Sequence, residues 1–126
     1  MEKSRYERGL EKLAEVDGKI GGQVVESLKD VAPDLGKFII EFAFADIYTR
    51  PVLDLKERER ITLSSLASIG GAENQLRVHI NGALNVGVTP KEVADIFIHC
   101  VPYVGFPRAL NAVAVAKEVF QQRGII

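Results

Sequence analysis

ENQLRVHINGALNVGVTP, residues 73–90, reads as one helix, one stop and one start. Leu76, His79, Ala83 and Val86 recur at three- and four-residue intervals, the period of a helix face and not of a strand. Gly87 closes that helix. Thr89, Pro90 and Glu92 then supply a side-chain cap, a proline at the first helical position and an acid near the third. A chain that passes from helix to helix across three residues points to an all-α fold.

The same period continues on both sides. Tyr6, Leu10, Leu13 and Ala14 predict a short amphipathic helix ended by Asp17-Gly18 and Gly21-Gly22, and Val24, Val25 and Leu28 predict a second over residues 23–31. Pro33 opens a third, over residues 34–48, that is apolar nearly all round and so expects burial on several sides. Arg50-Pro51 interrupts the pattern, and Asp54 with Glu57 starts a fourth helix that Gly70-Gly71 ends. After the 73–86 helix, Val93, Phe97, Cys100 and Val101 line the inner face of a sixth, with Pro102 and Gly105 as its stop. Pro107 opens the last, with Leu110, Val113, Ala114, Ala116 and Phe120 as a broad apolar face. The expectation is a single compact all-α domain over residues 1–126, a bundle of about six to seven helices. The apolar surplus of the third and last helices exceeds what a small interior holds, which predicts a homo-oligomer.

Composition narrows the function. The 126 residues hold 16 basic and 17 acidic side chains, for a net charge of −1, so no basic excess draws in nucleic acid. The single cysteine, Cys100, forms neither an internal disulfide nor a CxxC pair and fits a reducing cytoplasm. The charged start, MEKSRYERGLEKL, lacks the apolar core of a signal peptide, and the run from Phe38 to Ile47 is too short and too charged to span a bilayer. No P-loop, GxGxxG or GxSxG motif is present, and neither histidine has HxxxH or HExxH spacing, so a metal is not expected.

Three residues stand out. His79 lies on an apolar helix face and is either a general acid/base in a mostly apolar pocket or a core histidine bonded to a carbonyl. Glu41 sits among Phe38, Phe42 and Ala45, where a carboxylate is costly unless paired, which suits a functional acid or a structural anchor to an arginine. Asp46, five residues further along, should point elsewhere. Arg50 at a helix exit can fork onto a substrate carboxylate or onto a protein acid. The run Lys56-Glu57-Arg58-Glu59-Arg60 reads as a solvated helix start, His99 as a surface partner of Asp95, and Cys100 as a small buried hydrophobe.

Three blocks together resemble the γ-carboxymuconolactone decarboxylase family: RYERGL from Arg5, EFAFADIYTRPVLDLKERERITLSSLASIG from Glu41, and LRVHINGALNVGVTPKEVADIF from Leu76. The resemblance implies the all-helical fold of alkylhydroperoxidase D-like proteins and a homohexamer. The peroxidase branch carries CxxCxxxH on this helix. If the histidine is His79, the cysteine positions hold Ala72 and Gln75, and a dithiol peroxidase lacks both its thiols there. The decarboxylase branch implies cofactor-free loss of CO₂ from a small carboxylated lactone, 4-carboxymuconolactone to β-ketoadipate enol-lactone or a related substrate. In that scheme His79 moves the proton or holds the oxyanion, Glu41 orients His79 or the substrate, and Arg50 anchors a carboxylate. An antioxidant protein without the CxxC pair and a non-catalytic binding protein of the same fold are the alternatives.

Overall fold

The computed structural model describes residues 2–126, and among these every regular element is helical. They gather into two compact units, one ending at Leu55 and one spanning Lys56–Ile126.

The first unit is built from α1 (Arg5–Ser27), the short α2 (Pro33–Phe38) and a π-helix that follows without a break (Ile39–Ile47). Ser4 caps α1, its Oγ accepting from the Glu7 amide at 3.1 Å. The two helical segments expected before residue 31 join within α1 across a kink and not a loop, and the second begins earlier than residue 23. The chain breaks helical geometry only at Gly18 (φ 56°, ψ −138°), a conformation that a residue without a Cβ adopts readily. Gly9 marks the crossing of α1 over the π-helix. A Cβ on Gly9 would stand 2.0 Å from the Ile40 carbonyl oxygen, so only a hydrogen fits. Leu13, Val16, Ile40 and Phe44 are buried beside that crossing. Gly9→Ala is therefore expected to destabilise the fold by about 3 kcal/mol or more, because the clash is with backbone that cannot swing aside. Thermal unfolding checks this, and an unchanged midpoint would rule out so close a crossing.

The apolar run from Phe38 to Ile47 departs from its expected burial. Ile40, Phe44 and Ala45 are inside, whereas Phe38 and Phe42 are each 60% exposed. Winding explains part of this. Tyr48 N–H donates to the Ala43 carbonyl five residues back, at 2.9 Å, and that wider turn redistributes the side chains around the axis.

The second unit holds α3 (Leu55–Ile69), α4 (Glu73–Asn85), α5 (Pro90–Val104) and α6 (Phe106–Gln122). Leu63, Ala67, Leu76, Ile80, Phe97 and Val119 are buried in its single hydrophobic core. The start of α5 is a full capping box. Thr89 Oγ1 accepts from the Glu92 amide at 3.1 Å, and Glu92 Oε1 accepts from the Thr89 amide at 3.0 Å. The Thr89 backbone bond, and then the Arg60 guanidinium, hold the Glu92 carboxyl below the usual carboxylate range. A depressed folded-state pKa contributes stability above the unfolded value, and that contribution is lost as pH falls through the folded one. Glu92→Gln should accordingly show a shallower acid-side decline in urea midpoint than wild type. An identical decline would remove Glu92 from the pH response.

Two expectations are corrected in this unit. Pro102 lies inside α5 and does not end it; the helix runs to Val104, and Gly105 (φ 86°) is the stop. Pro102 is exposed in the last turn of α5, where it removes one amide donor with only two helical residues left to follow it. In α6 the buried face is Ala109, Ala112, Val115, Ala116 and Val119, while Leu110 (62%) and Val113 (42%) are exposed. The small residues, not the large ones, allow α6 to approach α4 and α5 closely.

Candidate active site

α3 and α4 place a carboxylate against an imidazole. Glu59 Oε2 stands 3.1 Å from His79 Nδ1. The Glu59 side chain is fully buried and that of His79 is 20% exposed. A buried carboxylate is expensive to desolvate, and a hydrogen-bonding partner offsets that cost. An ionised carboxylate only accepts, so Nδ1 then carries the proton, and the tautomer and tilt of the ring are fixed from behind. His79 is thus neither a surface histidine nor an imidazole bonded only to backbone carbonyls. Its ring lies at the boundary of the core, with Leu76, Ile80 and Ala83 of α4 buried below it.

Glu59 is the residue that the sequence reading missed, since the 56–60 run was expected to be solvated. Its signal was the register of α3: Glu59, Leu63 and Ala67 recur every four residues and are the buried positions of that helix. Arg60, next in the chain, turns away and ion-pairs with Glu92 of α5.

Glu41 lies in the first turn of the π-helix with its side chain 16% exposed. Arg5 Nη1 and Lys37 Nζ approach its Oε1 at 3.8 and 4.0 Å. Arg5 comes from α1, far from Glu41 in the sequence. Asp46 does not point elsewhere as expected. It accepts two bonds from the same Arg5, at 3.0 and 2.5 Å, because a π-helix and not an α-helix carries both acids. Arg50 follows the π-helix, exposed, its amide donating to the Ile47 carbonyl at 3.1 Å. Glu41 and Arg50 thus belong to the first unit and the Glu59–His79 pair to the second.

The remaining candidates have plainer surroundings. Cys100 is buried as expected, with its Sγ 3.6 Å from Ser64 Oγ. Ala72 is buried just ahead of α4 and Gln75 is exposed in its first turn. His99 is exposed on α5, its ring 5.7 Å from that of Tyr103. With Arg60, Ser64, Asp95 and Ile96 it lines an open groove between α3 and α5 whose lining includes neither His79 nor Glu59.

Comparison with known proteins adds an independent line. Residues 33–118 match the carboxymuconolactone decarboxylase family. The chain is 36% identical over 125 residues to 4-carboxymuconolactone decarboxylase of Acinetobacter baylyi, covering 98% of this chain and 92% of the relative. It is 33% identical over 104 residues to nitrosuccinic acid decarboxylase of Metarhizium robertsii, covering 79% of this chain and 71% of the relative. A third relative, an uncharacterised 15.0 kDa protein of Paracoccus denitrificans, is 26% identical over 99 residues, covering 78% of this chain and 74% of its own length.

Proposed function

The chain belongs to the carboxymuconolactone decarboxylase family, and from that membership we infer that it is a carboxy-lyase acting on a small acid that serves as its own electron sink. The two decarboxylase relatives support the class of substrate. In a carboxymuconolactone the electrons left behind by CO₂ delocalise into the unsaturated lactone; in nitrosuccinic acid they pass into a nitro group. Neither reaction needs a borrowed sink such as an organic cofactor. The substrate favoured for this chain is 4-carboxymuconolactone, giving β-ketoadipate enol-lactone, in keeping with the longer and higher-identity match.

One observation carries the assignment of chemistry, the fully buried Glu59 at 3.1 Å from His79 Nδ1. The C–C bond to the departing carboxylate breaks, and its electron pair enters the conjugated lactone as a dienolate. His79, entering the step as the imidazolium with its Nδ1–H held by the Glu59 carboxylate, then delivers its Nε2 proton to carbon and is left as the neutral Nδ1–H tautomer. A proton from solvent, the one that decarboxylation consumes, returns to Nε2. Glu59 thereby takes the orienting role that the sequence reading had given to Glu41. Glu41 and Arg50 are proposed as substrate-handling residues, Arg50 through a bidentate grip on a carboxylate.

The family match runs from residue 33 to 118 and so crosses the junction at Leu55, which supports one functional domain over residues 1–126. Exposed Phe38, Phe42, Tyr103, Phe106 and Leu110 support a homo-oligomer, a hexamer by family resemblance. Among the described residues no helix is long and apolar enough to cross a membrane, in keeping with the proposed cytoplasmic location. CO₂ release from a panel containing 4-carboxymuconolactone, nitrosuccinic acid and simple saturated lactone acids tests the substrate class. Turnover of the first with none of the saturated acids is expected. Turnover of the saturated acids, or of no member, would contradict it.

A further inference from the structure

Glu41 and Asp46 are five residues apart on the π-helix. In an α-helix, at 3.6 residues per turn, such a pair stands about 140° apart around the axis. The wider i→i+5 winding of a π-helix narrows that angle and turns the two toward one side. Both then meet one cation. Arg5 Nε and Nη2 donate to the two oxygens of Asp46 at 3.0 and 2.5 Å, and Arg5 Nη1 lies 3.8 Å from Glu41 Oε1.

The three side chains differ in burial. Arg5 is 48% exposed and Asp46 38%, while Glu41 is 16% exposed. The outer acid therefore takes the guanidinium fork, and the inner one is approached by charge without a hydrogen bond. The fork bonded to Asp46 keeps that carboxyl below its usual range and therefore ionised at neutral pH. With two acids already on it, Arg5 is poorly suited to receive an anionic substrate. Its own place is set by the backbone, because Gly9, one turn later in α1, is locked against Ile40 beside Glu41. Lys37, one turn before Glu41, adds a second positive charge at 4.0 Å from the same oxygen.

We propose that Arg5 is a positioning residue for Glu41, clamped by Asp46, and that the π-winding of residues 39–47 serves to bring the two acids to that one arginine. The inference rests on the reading of Glu41 as a substrate-handling residue. It names the device that sets where the Glu41 carboxylate stands.

Steady-state turnover of 4-carboxymuconolactone is measured for wild type, Arg5→Gln, Arg5→Lys, Asp46→Asn, Glu41→Gln and the double variant Arg5→Gln/Glu41→Gln. Thermal midpoints accompany each. The carboxyl ¹³C resonance of Glu41 is followed by NMR in wild type and Asp46→Asn. Arg5→Gln and Asp46→Asn are expected to lower kcat by about 10-fold each with KM little changed, since a misplaced Glu41 leaves the bound substrate out of line with the proton donor. Arg5→Lys should recover only part of the loss, lacking the planar fork. In the Glu41→Gln background, Arg5→Gln should have no further effect. The Glu41 resonance should move in Asp46→Asn, a partly exposed site whose substitution leaves the α1 crossing intact.

An Arg5→Gln loss of equal size in both backgrounds would overturn the proposal, as would wild-type kcat in Asp46→Asn. So would an unmoved Glu41 resonance, whatever the activity. Wild-type turnover by Glu41→Gln would instead sink the assignment of Glu41 itself, and the Arg5 proposal with it. A Glu41→Gln loss without an Arg5→Gln loss removes Arg5 alone.

Discussion

Turnover by His79→Ala is expected to fall about 10²-fold or more below wild type, the range that a positioned general acid or base supplies. Two contributions add. The variant loses the group that returns a proton to carbon, and it leaves Glu59 buried with its imidazole partner gone. The second contribution also threatens the fold, because removing one member of a buried charged pair costs about 3–5 kcal/mol. His79→Gln separates the two. Its amide nitrogen can still donate toward Glu59 but exchanges no proton at neutral pH. The expected result is a thermal midpoint nearer to wild type with turnover as low as in His79→Ala. A His79→Gln enzyme that is stable and fully active would return His79 to a structural role.

Glu59→Ala should be the most destabilising change at the site. It empties a fully buried position at the head of the Leu63–Ala67 stripe and strips the Nδ1 partner from His79. Losses of large buried side chains span about 2–5 kcal/mol. Glu59→Gln is milder for the fold, since its carbonyl can accept from Nδ1. It removes the charge that balances an imidazolium, and a drop in kcat of about 10- to 100-fold is expected, comparable with losing an orienting partner elsewhere. Equal turnover in wild type and Glu59→Gln would show that the carboxylate serves packing only. Urea unfolding and steady-state kinetics on the same preparations give both readouts.

Sequence period carried most of the architecture. The stops at Gly70-Gly71 and Gly87 and the cap at Thr89 fall where the chain turns, because these are local decisions made by backbone freedom and short side chains. Winding inside an apolar run is different. Nothing in IIEFAFADI distinguishes i→i+4 from i→i+5 bonding, so the shared face of Glu41 and Asp46 was invisible until the π-helix was seen. The reverse error affected α6. There the large apolar side chains suggested the inner face, whereas close helix packing selected Ala109, Ala112 and Ala116.

At the site, His79 was legible as a titratable group on an apolar helix face, but spacing alone left it open between an acid/base and a core histidine, and only the family-like blocks around it tipped the reading toward function. Its partner was not, because Glu59 sits in a run of charges whose composition says solvent while its register says core. Register was the better guide. A carboxylate four residues before Leu63 and eight before Ala67 shares their direction, whatever its neighbours in sequence.

The central claim is that Glu59 and His79 act as one unit in decarboxylation. A double-mutant cycle on kcat for 4-carboxymuconolactone tests it most directly, with wild type, Glu59→Gln, His79→Gln and the double variant as its four corners. Groups that work as a unit are strongly non-additive. The double variant is therefore expected to be no slower than His79→Gln alone. If the two losses multiply instead, Glu59 and His79 contribute independently, and the pair is a neighbourly contact and not a catalytic dyad.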